Sequence, residues 1–276
     1  MASEFPSTVI SKGPSWNGLE SLEFLIVFGD SYSAVGYDHH SIPTREQPLG
    51  VEFPGTTFTD EGLPNWVGHL VTNYSLGSRL LVYDYAVCGA RVYDVENQIQ
   101  AVFKAHIAEK PAWAPWAAKN ALFVTWVGIN DSAWCSDHTD NMAKLFSAQQ
   151  TLYDHGARNF LFINVPPIDR APGDIPPRGR APHFVSWNAE LKKAAAAFAA
   201  AHVDATVMIY SSWDTFTALL DDPVAHGFLP RDVRKAGAAI WLDFLHPTSR
   251  VHDFIARDVS TFLSTCPARS ASEEAK

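Results

Sequence analysis

The sequence predicts an α/β fold, a parallel sheet joined by right-handed crossovers with helices on both faces. Three observations predict it. Short apolar runs alternate with helical patterns along the whole chain, the order that builds β-α-β units. Those runs are apolar almost throughout, as strands buried on both faces are. Three of them end in a glycine followed closely by a polar or turn residue, at Gly29, Gly89 and Gly128. The chain has 276 residues, 47% hydrophobic and 18% charged, which suits one large domain with no second core. We expect that domain to span 22–265, with 1–21 an irregular lead-in and 268–276 a disordered polar tail.

Leu22 to Phe28 has the length and composition of a buried strand, and Gly29 ends it with a sharp turn. Tyr37 to Pro64 is a long loop rich in Pro, Gly, Thr and charge, and loops this long in a compact domain are usually functional. The His39-His40 pair inside it reads as solvated loop histidines, because adjacent residues do not converge on one ion. Pro64 opens a helix that runs to about Tyr74. Leu80 to Val87 is the second strand. Asp94 to Ala108 is an amphipathic helix, with Val95, Ile99, Val102 and Ile107 on one face. Ala121 to Val127 is the third strand and ends at Gly128-Ile129-Asn130-Asp131. Met142 to His155 is helical, and Arg158 to Val165 is a strand stopped by Pro166-Pro167. After a Pro- and Gly-rich loop, His183 to His202 is a long helix with an alanine run. Ala205 to Tyr210 is the fifth strand, Trp213 to Leu220 a short helix, and Thr248 to Leu263 the last helix, with Thr248 or Ser249 near its cap.

The formal charge of −9 and the lack of a basic stripe exclude a nucleic-acid role and attraction to anionic membranes. No apolar run reaches membrane-spanning length, so integral membrane association is not expected. Met1 to Ser21 has no continuous apolar core of the kind a secretory leader carries, which points to an intracellular protein; a secreted one would have had its leader removed. Cys88, Cys135 and Cys266 form no Cys-x-x-Cys motif. Their odd number suits a reducing interior, although three cysteines also allow one disulfide and a free thiol.

In a parallel sheet the strand ends at Gly29, Gly89 and Gly128 lie on one edge, where open α/β folds bind ligands. Ser31, Gly89 and Asn130 can therefore converge. Acyl transfer needs such a group: a nucleophile for the carbonyl and donors for the oxyanion. The N–H groups of Ser31 and Gly89 and the amide of Asn130 would supply three donors. Asp243 and His246, three residues apart, can face one way, so that the carboxylate holds the imidazole while its other nitrogen faces Ser31. Asp-x-x-His alone is usually structural; it gains weight only with the other three blocks.

Gly29-Asp30-Ser31, Gly89, Gly128-Ile129-Asn130-Asp131 and Asp243-x-x-His246 resemble the four blocks of the SGNH, or GDSL, hydrolase superfamily, in the right order, from about Phe24 to Phe262. Pro48-Leu49-Gly50, Pro64-Asn65-Trp66, the segment from Tyr85 to Ala90, Asn164-Val165-Pro166-Pro167 and Trp187-Asn188 resemble the fungal carbohydrate esterase family sixteen acetylesterases and the plant-type GDSL esterases. Tyr32 departs from the leucine of the name motif, and Cys88 stands where a small polar residue is common. The resemblance implies a flavodoxin-like α/β/α sandwich with a five-stranded parallel sheet, and no metal or organic cofactor. It implies a serine ester hydrolase with Ser31 as nucleophile, His246 as base and Asp243 as its partner, acting through an acyl-enzyme on short acyl groups, acetyl above all. Small-molecule or carbohydrate esters would be its partners. An acyltransferase would share every part. A non-catalytic carbohydrate-binding relative would have lost at least one of the five residues, and all are present. Among the remaining candidates, Asp30 and Asp131 read as turn-ordering carboxylates, Cys88 as a small buried residue, and Trp126, Trp134 and Trp187 as core or pocket-lining aromatics.

Overall fold

The computed structural model describes residues 3–75, 80–174 and 179–268. Its strands are β1 (Thr8–Ser11), β2 (Phe24–Gly29), β3 (Leu81–Asp84), β4 (Ala121–Trp126), β5 (Asn159–Ile163) and β6 (Thr206–Tyr210). They form one sheet in the order β1-β6-β5-β4-β2-β3. The five strands expected from the sequence are all parallel, and every residue of β2, β4, β5 and β6 is buried. Continuous apolar runs are what such double-sided burial demands.

The sheet nevertheless has six strands. The described part of the expected lead-in, residues 3–21, is not wholly irregular, because Thr8–Ser11 adds an antiparallel edge strand beside β6. Four residues are too few for periodicity to reveal, and the pairing depends on an edge 200 residues away in the chain. Two further contacts bind this segment to the domain. Gly13 N–H donates to Thr206 Oγ1 (3.0 Å), and the buried Trp16 indole donates to the Cys266 carbonyl. The polar tail expected from Ala268 lies, beyond that residue, outside the described residues.

The helices are α1 (Trp66–His69), α2 (Val92–Asn97), α3 (Lys104–His106), α4 (Ile129–Ser132), α5 (Thr139–Asp154), α6 (Ala181–Ala201), α7 (Ser212–Asp221) and α8 (Ser249–Ser264). A wider, π-type winding extends α1 over Leu70–Tyr74 and joins α2 to α3 over Gln98–Phe103. The α2–α3 rod, α5 and α6 pack together on one face; α1, α7 and α8 pack on the other. Taken in chain order, the five parallel strands run 2-1-3-4-5 across the sheet, the flavodoxin-like arrangement. Its chain direction reverses between β2 and β4, so a crevice opens at the carboxyl ends of those two strands.

Candidate active site

Ser31 stands two residues past the end of β2, at that crevice. Gly29 is required there by crowding more than by the turn. It pairs with Trp126 of β4, and a Cβ on it would lie 2.2 Å from the Trp126 carbonyl oxygen. Gln98 reaches in from the winding after α2; its Oε1 accepts from Gly29 N–H (3.0 Å) and its Nε2 donates to the Gly29 carbonyl (2.9 Å). One amide thus completes the pairing where β2 leaves the sheet. Gln98 was missed in the sequence, yet it left a signal: a buried polar residue on the apolar stripe of Val95, Ile99 and Val102.

The turn itself is held by Asp30. Its Oδ1 accepts from Tyr32 N–H (3.0 Å), and its carbonyl accepts from Ser33 and Ala34 N–H (3.0 and 3.1 Å). Burial pushes the Asp30 carboxyl up to about 7, against the pull of the Tyr32 hydrogen bond. Asp131 accepts from Val92 N–H (3.3 Å) and so serves the start of α2. Asp30 orders its own turn, as the sequence suggested, whereas Asp131 meets a backbone N–H remote in the chain instead of the turn beside Asn130. Asn65 ties the next stretch down. Its Oδ1 accepts from Val67 and Gly68 N–H at the start of α1, while its Nδ2 donates to the Ser33 and Ala34 carbonyls (2.8 and 3.0 Å). Trp66 Nε1–H donates to Ser33 Oγ (3.1 Å). Pro64-Asn65-Trp66 is therefore a brace for the serine turn.

Asp243 and His246 arrive on the loop before α8, and the structure brings both to Ser31. Ser31 Oγ lies 2.9 Å from His246 Nε2, and His246 Nδ1 lies 2.8 Å from Asp243 Oδ2. A carboxylate can only accept, so Nδ1 carries the ring proton and Nε2 is free to accept from the serine hydroxyl. The other carboxylate oxygen, Oδ1, accepts from Leu245 and His246 N–H (2.7 Å each). Partial burial works against the charge of Asp243. The hydrogen bonds from His246 and Leu245 outweigh it and hold the carboxyl below the usual range. Asp243 is therefore ionised wherever the imidazole works.

Three contacts seat this loop. The fully buried Tyr32 hydroxyl donates to the Leu245 carbonyl (2.7 Å), a role a leucine could not fill. The Phe58 ring lies 5.7 Å from the imidazole, and Thr59 Oγ1 donates to the Pro247 carbonyl (3.2 Å). Both come from the long loop after the serine, so that loop backs the histidine.

The donors for an oxyanion are partly as expected. Ser31 and Gly89 N–H have no acceptor among the described residues. Gly89 adopts φ +76°, a left-handed conformation, and a Cβ there would meet nothing within 4 Å. Glycine is thus needed at 89 for its backbone angle, while open space surrounds it. Asn130 is more committed than expected: Nδ2 donates to the Ala90 carbonyl (3.0 Å) and stands 3.5 Å from Asp30 Oδ2. One amide hydrogen fixes the Gly89 loop to α4, and the other makes only a weak contact.

One further expectation is corrected, the burial of Cys88. Cys88 is exposed, because the loop after β3 turns it outward beside Gly89. Trp126 and Trp187 are fully buried core residues, whereas Trp134 is 77% exposed. His39 and His40 are exposed in the loop.

The chain as a whole has known relatives. A family model described as the GDSL-like lipase/acylhydrolase family matches residues 27–254. The chain belongs to that family. An acetylesterase from Thermothelomyces thermophilus is 33% identical over 269 residues, covering 87% of this chain and 88% of the relative. Among solved structures, Axe2, an acetylxylan esterase from Geobacillus stearothermophilus, covers 93% of this chain and 96% of its own, with a TM-score of 0.56 at 15% identity. A single-substitution variant of Axe2 gives 0.57, covering 91% and 100% at 15% identity. Those structures share the fold with this GDSL-like acylhydrolase. The resemblance read from the four blocks is borne out, and the chain is a carboxylic ester hydrolase.

Proposed function

We propose that this GDSL-like hydrolase removes acetyl groups from small acetylated alcohols, including carbohydrates, through an acyl-enzyme on Ser31. The observation that carries the reading is the continuous relay Asp243–His246–Ser31, together with N–H groups of Ser31 and Gly89 that have no acceptor among the described residues. His246 Nε2 takes the serine proton as Oγ attacks the ester carbonyl. The oxyanion that forms is met by the two N–H groups and by the second hydrogen of Asn130, which leaves Asp30 for a stronger acceptor. The intermediate then expels the alcohol oxygen, which takes the proton back from His246. Water repeats the sequence and releases the acid. The acetyl preference is supported by the acetylesterase that matches along most of both chains.

The test is hydrolysis of 4-nitrophenyl acetate with mass mapping of a fluorophosphonate adduct. We expect one adduct, on the peptide carrying Ser31, and loss of both turnover and labelling in Ser31→Ala. A fully active Ser31→Ala, labelled on another serine, would overturn the assignment.

A further inference from the structure

Gly29 is the point where the two chain segments that supply backbone oxyanion donors meet. β3 stops at Asp84, opposite Val27, so the strand itself no longer faces Gly29. Two other groups do. The Gly29 carbonyl accepts from Val87 N–H (3.1 Å) and from Gln98 Nε2 (2.9 Å), and Gly29 N–H donates to Gln98 Oε1 (3.0 Å). Ser31 lies two residues past Gly29, and Gly89 two residues past Val87. The loop that carries Gly89 is closed by Ala90 N–H on the Val87 carbonyl (3.1 Å), and Asn130 holds it at the Ala90 carbonyl (3.0 Å). Gly29 is therefore the shared foot of both donor segments, and one carboxamide grips its N–H and its carbonyl.

Gln98 is placed for this grip at a cost. It is 4% exposed although polar, on a helix face otherwise formed by Val95, Ile99 and Phe103. A buried amide costs free energy unless its polar atoms are paired, and Gly29 pairs both of them. The helix also changes from α to the wider π-type winding at Gln98. Such winding is uncommon and gathers at functional sites.

We propose that Gln98 is a positioning residue for the ester reaction, fixing the spacing of the Ser31 and Gly89 N–H groups that a tetrahedral oxyanion needs. The inference rests on the esterase reading of Ser31. Donors stabilise an oxyanion only when they stand about 2.7–3.1 Å from it. Two residues span at most roughly 7 Å, so a tilt of the Gly29 peptide is carried into the Ser31 N–H. A misplacement of about 1 Å can cost about 10² in rate. Both hydrogen bonds of the Gln98 carboxamide end on Gly29, and neither on His246 or Asp243. Gln98 therefore acts on the donors and leaves the proton relay alone.

The test starts from Gln98→Met, which keeps the length of the side chain but makes neither bond. On 4-nitrophenyl acetate its kcat should fall about tenfold or more, with KM changed by less than about twofold. Inhibition by trifluoroacetone, whose adduct with the serine carries an oxyanion, should weaken by the same factor as kcat/KM. That inhibition constant reports only folded molecules, so it covers a partly unfolded variant. The pH at which kcat/KM half-rises should stay at its wild-type value, since the histidine is untouched. Gln98→Glu, which as a buried neutral acid can make both bonds, should keep more of the wild-type kcat than Gln98→Met at about pH 6. Combined with Gly89→Ala, Gln98→Met should lose clearly less than the product of the two single losses, because both displace the same donor. A raised KM with kcat unchanged, an unchanged inhibition constant, a shifted pH profile, multiplying losses, or Gln98→Met outperforming Gln98→Glu would each overturn the proposal. Failure of the esterase reading shows differently, as wild type that neither turns over the ester nor labels at Ser31.

Discussion

At the scale of single residues, the proposed mechanism makes the imidazole of His246 the base and Asp243 the partner that orients it. His246→Ala should be nearly inactive on 4-nitrophenyl acetate while keeping its circular dichroism spectrum. Asp243→Asn should lose less: by analogy with serine proteases the loss can approach ~10⁴ in kcat. An asparagine whose carbonyl still accepts from Leu245 and His246 N–H preserves the loop but can present an amide hydrogen to Nδ1, favouring the wrong tautomer. A folded His246→Ala with most of the wild-type rate would place the base elsewhere. Gly89 makes a second case. Alanine fits the open space but must adopt a left-handed angle, at a cost of roughly 1–2 kcal/mol. Gly89→Ala should therefore fold with a modestly lowered melting temperature. Its kcat should fall by about 10²–10³ as its N–H moves off the oxyanion, with KM little changed.

At the scale of elements, each reacting side chain sits on a loop that a neighbouring element pins. The carboxamide of Asn65 at once caps α1 and holds the two carbonyls after Ser31. Asn65→Ala loses a cap worth about 1 kcal/mol and leaves buried carbonyls unpaired, so a loss of roughly 2–3 kcal/mol is expected in urea titration. Tyr32 is one of the contacts that seat the histidine loop. Tyr32→Phe removes only the hydroxyl that meets Leu245; the stability loss should be about 1 kcal/mol, with kcat falling more than KM rises. A further tether lies at the start of α8. Thr248 is the N-cap residue, in keeping with the expectation of Thr248 or Ser249 near the cap, but its hydroxyl donates to the Ala239 carbonyl (2.8 Å). The Ser249 N–H is instead met by Asp60 Oδ2 (2.7 Å) from the long loop. A cap supplied from 189 residues away cannot be seen by reading neighbours.

At the scale of the whole molecule, the core holds titratable groups whose burial sets the pH response. His252 of α8 is fully buried against the Tyr32 ring (5.9 Å), and burial, with His69 and His246 nearby, pushes it down to about 3. Unfolding frees it to bind a proton near its ordinary value of about 6.5. Its contribution is thus fully present above about 6.5 and is lost as pH falls toward 3, amounting to about 2 kcal/mol at pH 5. Asp30 acts with the opposite sign. Raised to about 7, it favours the folded state below the ordinary carboxylate value and loses that contribution as pH rises to about 7. In His252→Gln the urea midpoint should fall less between pH 8 and pH 5 than in wild type. Equal falls in the two proteins would show that His252 does not titrate on unfolding.

What the sequence determined by itself was whatever is local or periodic. The five parallel strands announce themselves because burial on both faces demands unbroken apolar runs. The order of the four blocks places Ser31, Gly89, Asn130 and the Asp243–His246 pair on one sheet edge, because parallel strands must end together. The tertiary structure decided everything that depends on a partner remote in the chain. Thr8–Ser11 is a strand only because β6 has a free edge. Gln98 is a brace only because α2 passes Gly29. Asp60 is a cap and Asn130 is half-committed to Ala90 only because loops distant in sequence meet there. Hydrogen bonds and burial are properties of the packed chain, and a residue's type sets only what it can offer to them.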